Sequence, residues 1–375
     1  MRVLYFTQDH TPHDHRFLAA AAEQGAQTFA LRLERRGMQR EDRPLPAGVT
    51  RVRWSGGEQP FRWRDLPAAV LGLRRVLREV RPDVIHAGPL PGPAFIAALA
   101  GARPLVSMSW GSDLLRDAQT DRWTAFRARY ALRRSRVLIG DCRAVQQAAG
   151  KLAGFPAGQT VIFPWGVELE RFQPGPEPGL RARMGWQDCF VIVSLRAWEP
   201  VYGVDVLIRA FAAAAQQAPQ LRLILAGGGS LAGMVQDLIY RHGLNERVSL
   251  PGHVPQASLP ELYRAADLYV SASHSDGSSV SLLEALACGL PALVSDIPGN
   301  REWIEPGGPG WLFPDGDAAA LAQAMVTACE ASAGLDGLRR KARALAEARA
   351  DWSLNRAKIM QAYRLALGME GDRDA

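Results

Sequence analysis

Residues 273–296, SHSDGSSVSLLEALACGLPALVSD, gather two carboxylates and several serines at the start of an apolar helix. The run LYVSAS leading into them is typical of a strand, and Gly289 is typical of a helix end. We expect Ser278, Ser279 and Ser281 to cap the helix. The free N–H groups at the start of the helix and the positive end of its dipole would form a binding site for phosphate.

Asp276 and Glu284 have a D-x7-E spacing across this helix start. Asp276, in the loop, can accept hydrogen bonds from a sugar ring, and Glu284, about one turn inside the helix, can accept them from adjacent ribose hydroxyls. Gly277 lets the backbone approach a ligand closely. The spacing therefore predicts one elongated ligand of sugar, diphosphate and ribose. The alternative is that both carboxylates only favour the helix N-terminus.

Strand-like apolar runs alternate with helical stretches along the whole chain. Continuous apolar runs predict parallel sheets that are covered on both faces by helices. The number of runs exceeds one simple doubly wound sheet, so the pattern predicts an α/β protein with two Rossmann-like domains. The ten runs are 2–6, 82–87, 104–110, 136–141, 160–164, 190–196, 221–227, 247–252, 268–273 and 291–296.

The boundary between the domains is expected in PWGVELERFQPGPEPG (164–179), the longest interruption rich in Pro and Gly. The first domain would span residues 1–165, the second 166–351, and the tail 352–375 begins with a helical pattern. We expect the two sheets to face each other across a cleft. Ligands of open α/β sheets bind beyond the carboxyl ends of the strands, so loops that follow strands should carry the site.

Composition is ordinary for a globular chain of 375 residues, with 47% hydrophobic and 22% charged residues. No apolar run reaches the roughly 18 residues of a membrane span, and the start MRVLYFTQDH lacks the pattern of a signal peptide. The four cysteines are scattered without a CxxC pair, which favours reduced thiols in a cytoplasmic protein over disulfides or zinc ligands.

Charge is divided unevenly between the two halves. Residues 1–165 hold 25 Lys and Arg against 14 Asp and Glu, whereas residues 166–375 hold 19 against 24. The segment 121–136 also mixes Arg with Trp, Phe and Tyr at helical spacing. Such a helix either lies on an anionic membrane surface or packs its aromatic residues on the sheet, and both readings stay open. Nucleic-acid binding has the same charge argument but no recognisable module, so we expect none.

Several segments resemble glycosyltransferase family four, whose members are retaining GT-B enzymes that use nucleotide sugars. The D-x7-E segment resembles the family's E-x7-E region, and PWGVELERF (164–172) resembles its interdomain P-N-G-V-D-x-x-x-F. SLRAWEPVYGVDVLIRAF (194–211) resembles G-R-L-x-x-x-K-G-x-D-x-L-I-x-A-F, and LILAGGGS (223–230) resembles the family's strand and glycine turn. The likeness covers nearly the whole chain, and it implies a GT-B fold whose C-terminal helix crosses back to the first domain.

The resemblance assigns roles to residues of the second domain. Arg196 should meet the diphosphate, where a guanidinium offsets leaving-group charge. Gly228 and Gly229, with Gly227, would allow close approach of the backbone. The backbone near Val254 and His253 would hold the base.

Three positions depart from the family pattern. Asp276 is one methylene shorter than the usual Glu, and Tyr202 stands at the position of a phosphate-binding Lys. Tyr202 can donate one hydrogen bond but brings no charge, which weakens the expected hold on a diphosphate. Trp110 replaces a His in SWGSD, where it could stack on a sugar or pack in the core.

Acceptor contacts are expected from loops of the first domain that follow strands. Two candidates have an alternative role: Asp113 could cap a helix, and His86 could be a satisfied buried histidine. The candidates are His13, Asp14, Arg16, His86, Trp110 and Asp113.

The resemblance implies a retaining transferase, and we expect it to need neither a metal nor another cofactor. A UDP-sugar is the leading expectation for the donor, and a glycan, lipid-linked compound or small molecule for the acceptor. The alternative is a degenerate family member that acts as a sugar-nucleotide-binding or partner subunit. A phosphorylase would need a suitably placed Lys for pyridoxal, and a dehydrogenase would need G-x-G-x-x-G after the first strand; the chain shows neither. We expect a cytoplasmic protein, with contact to the inner membrane face as a further hypothesis.

Overall fold

The chain is an α/β protein whose strands form two parallel sheets. A computed structural model describes residues 1–35, 41, 43–177 and 179–369. The chain divides by its internal contacts into two compact units. Unit 1 contains Met1–Trp165 and the C-terminal part from Ser353 onward, and unit 2 is Gly166–Trp352.

The sheet of unit 1 has seven parallel strands in the order β3-β2-β1-β4-β5-β6-β7. Because the chain moves outward in both directions from β1 and β4, the switch point of this sheet lies between these two strands. The strands are β1 Arg2–Gln8, β2 Gln27–Leu33, β3 Val49–Arg51, β4 Val84–Ala87, β5 Leu105–Met108, β6 Val137–Gly140 and β7 Thr160–Ile162.

The sheet of unit 2 has six parallel strands in the order β10-β9-β8-β11-β12-β13. Its switch point lies between β8 and β11, which are neighbours in the sheet although a long stretch of chain separates them. The strands are β8 Phe190–Leu195, β9 Leu221–Ala226, β10 Val248–Gly252, β11 Leu268–Ser271, β12 Ala292–Ser295 and β13 Gly310–Phe313.

Helices follow most of the strands and cover the faces of both sheets. They are α1 Pro12–Glu23, α2 Leu66–Val80, α3 Phe95–Ala100, α4 Ala118–Thr120, α5 Arg122–Arg134, α6 Arg143–Ala153, α7 Leu180–Met184, α8 Val204–Gln217, α9 Ala232–Arg241, α10 Leu259–Arg264, α11 Val280–Ala287, α12 Pro298–Arg301, α13 Ala318–Glu330, α14 Leu335–Arg349, α15 Trp352–Asn355 and α16 Ala357–Leu367.

Burial explains the continuous apolar runs. Every residue of β4, β5, β6, β11 and β12 is buried, as expected for central strands with helices on both faces. Helix α16 packs back on unit 1, as the family resemblance implied. Tyr363 of this helix lies 2.9 Å from the Nδ1 atom of His86 in β4, and Arg356 pairs with Glu23 of α1 at 2.8 Å.

No single helix among the described residues is both long and apolar enough to cross a membrane. By length and composition alone, the consecutive helical segments Ala318–Glu330 and Ser332–Arg349 meet that criterion as a pair, with a bend of 69° between them.

Candidate functional site

The predicted site residues of unit 2 meet at the switch point of its sheet. Arg196 directly follows β8, and the loop that carries Asp276 follows β11. Because both strands are parallel neighbours, their carboxyl ends lie at the same edge of the sheet. The switch point therefore brings together residues that are about 80 positions apart in sequence.

Arg196 is held by three kinds of contact. Its Nη2 atom lies 2.6 Å from Oδ2 of Asp276, and its Nη1 donates to Oγ of Ser279 at 2.7 Å and of Ser281 at 3.4 Å. The guanidinium also lies over the ring of Tyr202, 4.1 Å from the ring centroid. The cation thus has a fixed plane, since a carboxylate and hydroxyls bind its edge and an aromatic ring covers its face.

Burial and pairing act in opposite directions on this ion pair. Burial lowers the pKa of Arg196, but the charge of Asp276, together with smaller contributions from nearby tyrosines, outweighs it, so the pKa lies above the ordinary value. Burial raises the pKa of Asp276, and the charge of Arg196 opposes that rise. The two side chains are only 13% and 19% exposed, so screening by water is limited.

Ser279 does not cap α11, so the capping prediction is wrong for this serine. Ser279 is the N-cap residue, yet its side chain makes no capping hydrogen bond. Its hydroxyl binds Arg196 and lies 3.1 Å from that of Ser281, while Oγ of Ser278 accepts from Nε1 of Trp303 at 3.1 Å. A charged donor is a stronger partner than a backbone amide, which explains the exchange.

Glu284 lies on α11 and is almost fully buried, at 5% exposure. Its Oε2 accepts a hydrogen bond from Oη of Tyr263 at 2.9 Å. Burial first, and then the charge of Glu284, raise the pKa of Tyr263 well above its usual value, so this phenol stays a donor. Sequence reasoning missed Tyr263 as a partner, because this residue comes from α10, 21 positions earlier.

The glycine turn after β9 packs against the segment that carries Arg196. A Cβ atom at Gly227 would lie 2.5 Å from the carbonyl oxygen of Arg196, and one at Gly229 would lie 2.5 Å from that of Trp198. At Gly228 no atom lies within 4 Å of such a Cβ. Chain packing therefore requires glycine at positions 227 and 229. From the sequence we expected these glycines only to let the backbone approach a ligand.

Sequence reasoning also missed Gly299. A Cβ at this position would overlap the carbonyl oxygens of Gly277 and Asp276, so only glycine lets α12 pack on the loop that carries Asp276. Its signal, a Pro-Gly-Asn after β12, is that of an ordinary turn. Val254, expected near a base, follows β10 and packs partly on the core, while His253 is exposed.

In unit 1, Asp14 serves the fold and is fully buried. It forms a capping box with Thr11 and accepts hydrogen bonds from Tyr5 at 2.8 Å and Thr7 at 2.7 Å. This position corrects its assignment to the acceptor side, because its lone pairs bind neighbours inside the unit. His13 and Arg16 are partly buried on the same helix, and burial together with the charge of Arg16 lowers the pKa of His13 to about 4.

His86 lies in the core of unit 1 at 1% exposure, which favours a buried histidine over an acceptor contact, although its Nε2 atom has no hydrogen-bond partner among the described residues. Its ring packs edge-on against Tyr5, and its Nδ1 meets Oη of Tyr363 at 2.9 Å. Burial lowers the pKa of His86 to about 3, so the ring is neutral.

Asp113 anchors two loops rather than facing solvent. Its carboxylate accepts from the backbone N–H of Leu90 at 3.0 Å and of Trp110 and Leu114 at 3.1 Å, and also from Ser109. Burial raises its pKa to about 6. Asp113 is the first residue of the helical segment Asp113–Asp117 rather than its N-cap residue, and Trp110 beside it is only partly buried.

Unit 1 has one further feature at its own switch point. Asp9 and His10, directly after β1, both have positive φ angles, of 61° and 58°. Non-glycine residues in this region are strained, and such strain concentrates at functional sites.

Family models match both halves of the chain. Residues 181–348 match the model described as Glycosyl transferases group 1, and residues 13–171 match Glycosyltransferase Family 4. Two Rossmann-like units of this kind define the GT-B class of glycosyltransferase fold. The chain belongs to glycosyltransferase family four.

Comparisons with individual proteins agree with this family membership. The D-inositol 3-phosphate glycosyltransferase of Thermobispora bispora is 34% identical over 226 residues, which are 56% of this chain and 51% of that protein. The chain spans about half the length of the curated relatives that it matches. Relatives of known structure include sucrose-phosphate synthase of Thermosynechococcus elongatus, with a TM-score of 0.82 and 19% identity over 98% of this chain and all of that one. Anabaena HepE, crystallised with UDP and glucose, has a TM-score of 0.78 and 23% identity over 96% and 98% of the two chains. Both structures share the fold.

Proposed function

We propose that the protein transfers a sugar, with retention, from a nucleotide-sugar donor to a hydroxyl of a glycan, lipid-linked or small-molecule acceptor. A UDP-sugar is the donor we favour, since HepE was crystallised with UDP and glucose. Unit 2 binds the donor and unit 1 the acceptor in this proposal. The observation that carries it is Arg196, fixed beside the uncapped start of α11 at the sheet's switch point.

The donor diphosphate binds Arg196 and the first N–H groups of α11 in this proposal. To do so it exchanges with Asp276, which holds an edge of the guanidinium at 2.6 Å. The released carboxylate of Asp276 then accepts hydrogen bonds from the transferred sugar, while Glu284 accepts them from the ribose. The pair thus keeps the cation in place until the donor arrives.

Transfer requires stabilisation of charge and no protein nucleophile. The acceptor oxygen attacks the anomeric carbon on the side of the leaving group, the bond from that carbon to the phosphate oxygen breaks, and the hydroxyl proton passes to the departing diphosphate. Arg196 and the α11 dipole stabilise the diphosphate as it gains charge. Because Arg196 and the α11 dipole supply positive charge, the proposed reaction needs neither a metal nor another cofactor.

A second candidate is a sugar-nucleotide-binding subunit without turnover. The observation that favours it is the neutral charge balance at the site. Asp276 cancels the charge of Arg196, and Tyr202 replaces the Lys that the family pattern would supply. Such a subunit would bind a donor but neither hydrolyse nor transfer its sugar.

A thermal-shift screen of the full chain with UDP-, GDP-, ADP-, TDP- and CMP-sugars tests the proposal, because a ligand that binds the native state raises Tm. At least one nucleoside diphosphate sugar should raise Tm, and Arg196→Ala should abolish the rise. Arg209→Ala, which removes an exposed arginine of α8 paired with Asp205, is the matched control and should keep it. If no nucleotide sugar shifts Tm, the donor assignment is wrong. Donor binding without release or transfer of the sugar would support the second candidate.

A further inference from the structure

Helix α5 of unit 1 exposes only arginine and aromatic side chains. The buried side chains of α5 pack inward, but Trp123 and Phe126 are not among them. The alternative that the aromatic residues of this segment pack on the sheet therefore holds only in part. The exposed positions of the helix are Arg122, Trp123, Phe126, Arg129, Arg133 and Arg134.

The two exposed aromatic rings form one ordered pair. Trp123 is 50% exposed and Phe126 is 49% exposed. Their rings stack with centroids 5.2 Å apart and an angle of 10° between the planes, and each also meets the edge of buried Phe95. Half-exposed rings held in one orientation form a coherent apolar patch, in contrast to scattered single hydrophobic residues.

A basic groove lies at the C-terminal end of the same helix. Arg133 and Arg134 line it together with Arg103 and Arg136, and no acidic side chain takes part in the lining. Among the described residues, none of these four arginines belongs to an ion pair; Arg134 contacts only the ring of Tyr130, at 5.2 Å from its centroid. The groove therefore keeps its positive charge for an anionic partner.

We propose that the α5 face, meaning Trp123, Phe126 and the arginine groove, docks on an anionic phospholipid bilayer. Trp and Phe rings insert favourably at the depth of the headgroups, while arginines bind headgroup phosphates. A single-stranded nucleic acid would use open ring faces for stacking, and here the two rings cover each other's inner face. The inference goes beyond the proposed transferase activity, since it concerns a surface of unit 1 that lies outside the donor site.

Flotation of the full chain with vesicles tests this surface. Vesicles of phosphatidylcholine alone are compared with vesicles that also contain phosphatidylglycerol, at low and high salt. The native chain should float with the anionic vesicles, and less so at high salt. Trp123→Ser with Phe126→Ser should weaken the partition about tenfold. Arg133→Ser with Arg134→Ser should weaken it roughly tenfold or more at low salt, since each arginine near an anionic surface contributes about fivefold.

The matched control is Tyr240→Ser with Arg241→Ser. This pair sits on α9 of unit 2, where Tyr240 is 77% exposed, and the change should leave flotation unaltered. All variants should keep the native Tm and the nucleotide-sugar shift, which separates this test from that of the donor site. Equal binding to both vesicle types, native-like flotation of the α5 variants, or no flotation at all would overturn the proposal. Displacement from vesicles by a single-stranded RNA that binds more tightly would overturn it in favour of nucleic acid.

Discussion

Nη2 of Arg196 lies 2.6 Å from Oδ2 of Asp276, and both side chains are largely buried at the carboxyl ends of neighbouring strands. The sequence placed these residues on the same ligand, with separate tasks. The structure pairs them with each other. Asp276 therefore occupies the position on Arg196 where the diphosphate would bind, and Arg196 occupies the position on Asp276 where the sugar would bind. Donor binding in our account is therefore an exchange of partners, whose cost is the opening of this pair.

Asp276→Asn should separate binding from catalysis. Loss of the carboxylate frees Arg196 from its competitor, so the Kd for UDP should fall, by roughly three- to tenfold. The kcat for sugar transfer should fall as well, because the sugar loses its acceptor of hydrogen bonds. Titration calorimetry and initial rates measure the two effects. Asp276→Glu is the control and should retain transfer; weaker binding of UDP to the Asn variant would contradict the exchange.

Tyr202→Lys should strengthen binding of the diphosphate. The substitution adds a second cation next to Arg196, where the ring now supplies only a cation–π contact at 4.1 Å. We expect Kd for UDP to fall by roughly tenfold, the size of one charge-assisted hydrogen bond. Tyr202→Phe keeps the ring below the guanidinium and should change Kd by less than about twofold. An unchanged Kd for the Lys variant would place the diphosphate away from Tyr202.

Gly227→Ala should destabilise unit 2, whereas Gly228→Ala should not. The added methyl at Gly227 would meet the carbonyl oxygen of Arg196 at 2.5 Å, with φ at 133°, a conformation disfavoured for alanine. We expect a loss of about 1–3 kcal/mol in the free energy of unfolding. Open space surrounds the corresponding position at Gly228, so its variant serves as the neighbouring control. Urea unfolding gives both values, and equal stability of the two variants would argue against the packing explanation.

His86 should make stability depend on pH. Its pKa is near 3 in the folded unit because of burial, against the ordinary value of 6.5, so between these pH values only the unfolded chain binds the proton. The stabilisation is complete above pH 6.5 and is lost as the pH falls toward 3, at up to about 1.4 kcal/mol per pH unit.

His86→Gln removes this contribution and should make the pH dependence between pH 7 and 5 shallower, while His10 and His13, whose pKa values are lowered to about 4, keep theirs. Denaturant titrations of both proteins at several pH values measure the slopes. A lower stability of the variant at every pH leaves the test intact, since the comparison is between slopes. Parallel curves for the native chain and the variant would contradict the assignment.

The sequence predicted most of the fold because buried parallel strands have a continuous apolar signature. All ten predicted runs contain strands of the two sheets. It missed β2, β3 and β13 for local reasons. Strand β2 interrupts its apolar residues with Arg32, β3 has three residues at a sheet edge, and β13 is a partly exposed edge strand of four.

The candidate site was predicted less completely than the fold. Arg196 and the start of α11 could be placed together, because strand order and the family likeness bring them to one edge. The partners of polar side chains could not be predicted, since they come from distant parts of the chain. His86 binds Tyr363, 277 positions away, and Ser278 binds Trp303. Short sequence patterns suggested that such side chains contact a ligand, whereas in the folded chain they bind another residue of the protein.

The most direct test of the account is a crystal structure of the chain with UDP bound. We predict that the diphosphate lies within hydrogen-bonding distance of the Arg196 guanidinium, about 2.7–3.0 Å, and of the first N–H groups of α11. The carboxylate of Asp276 should have moved away from Nη2. UDP bound elsewhere, with the Arg196–Asp276 pair still closed, would contradict the account.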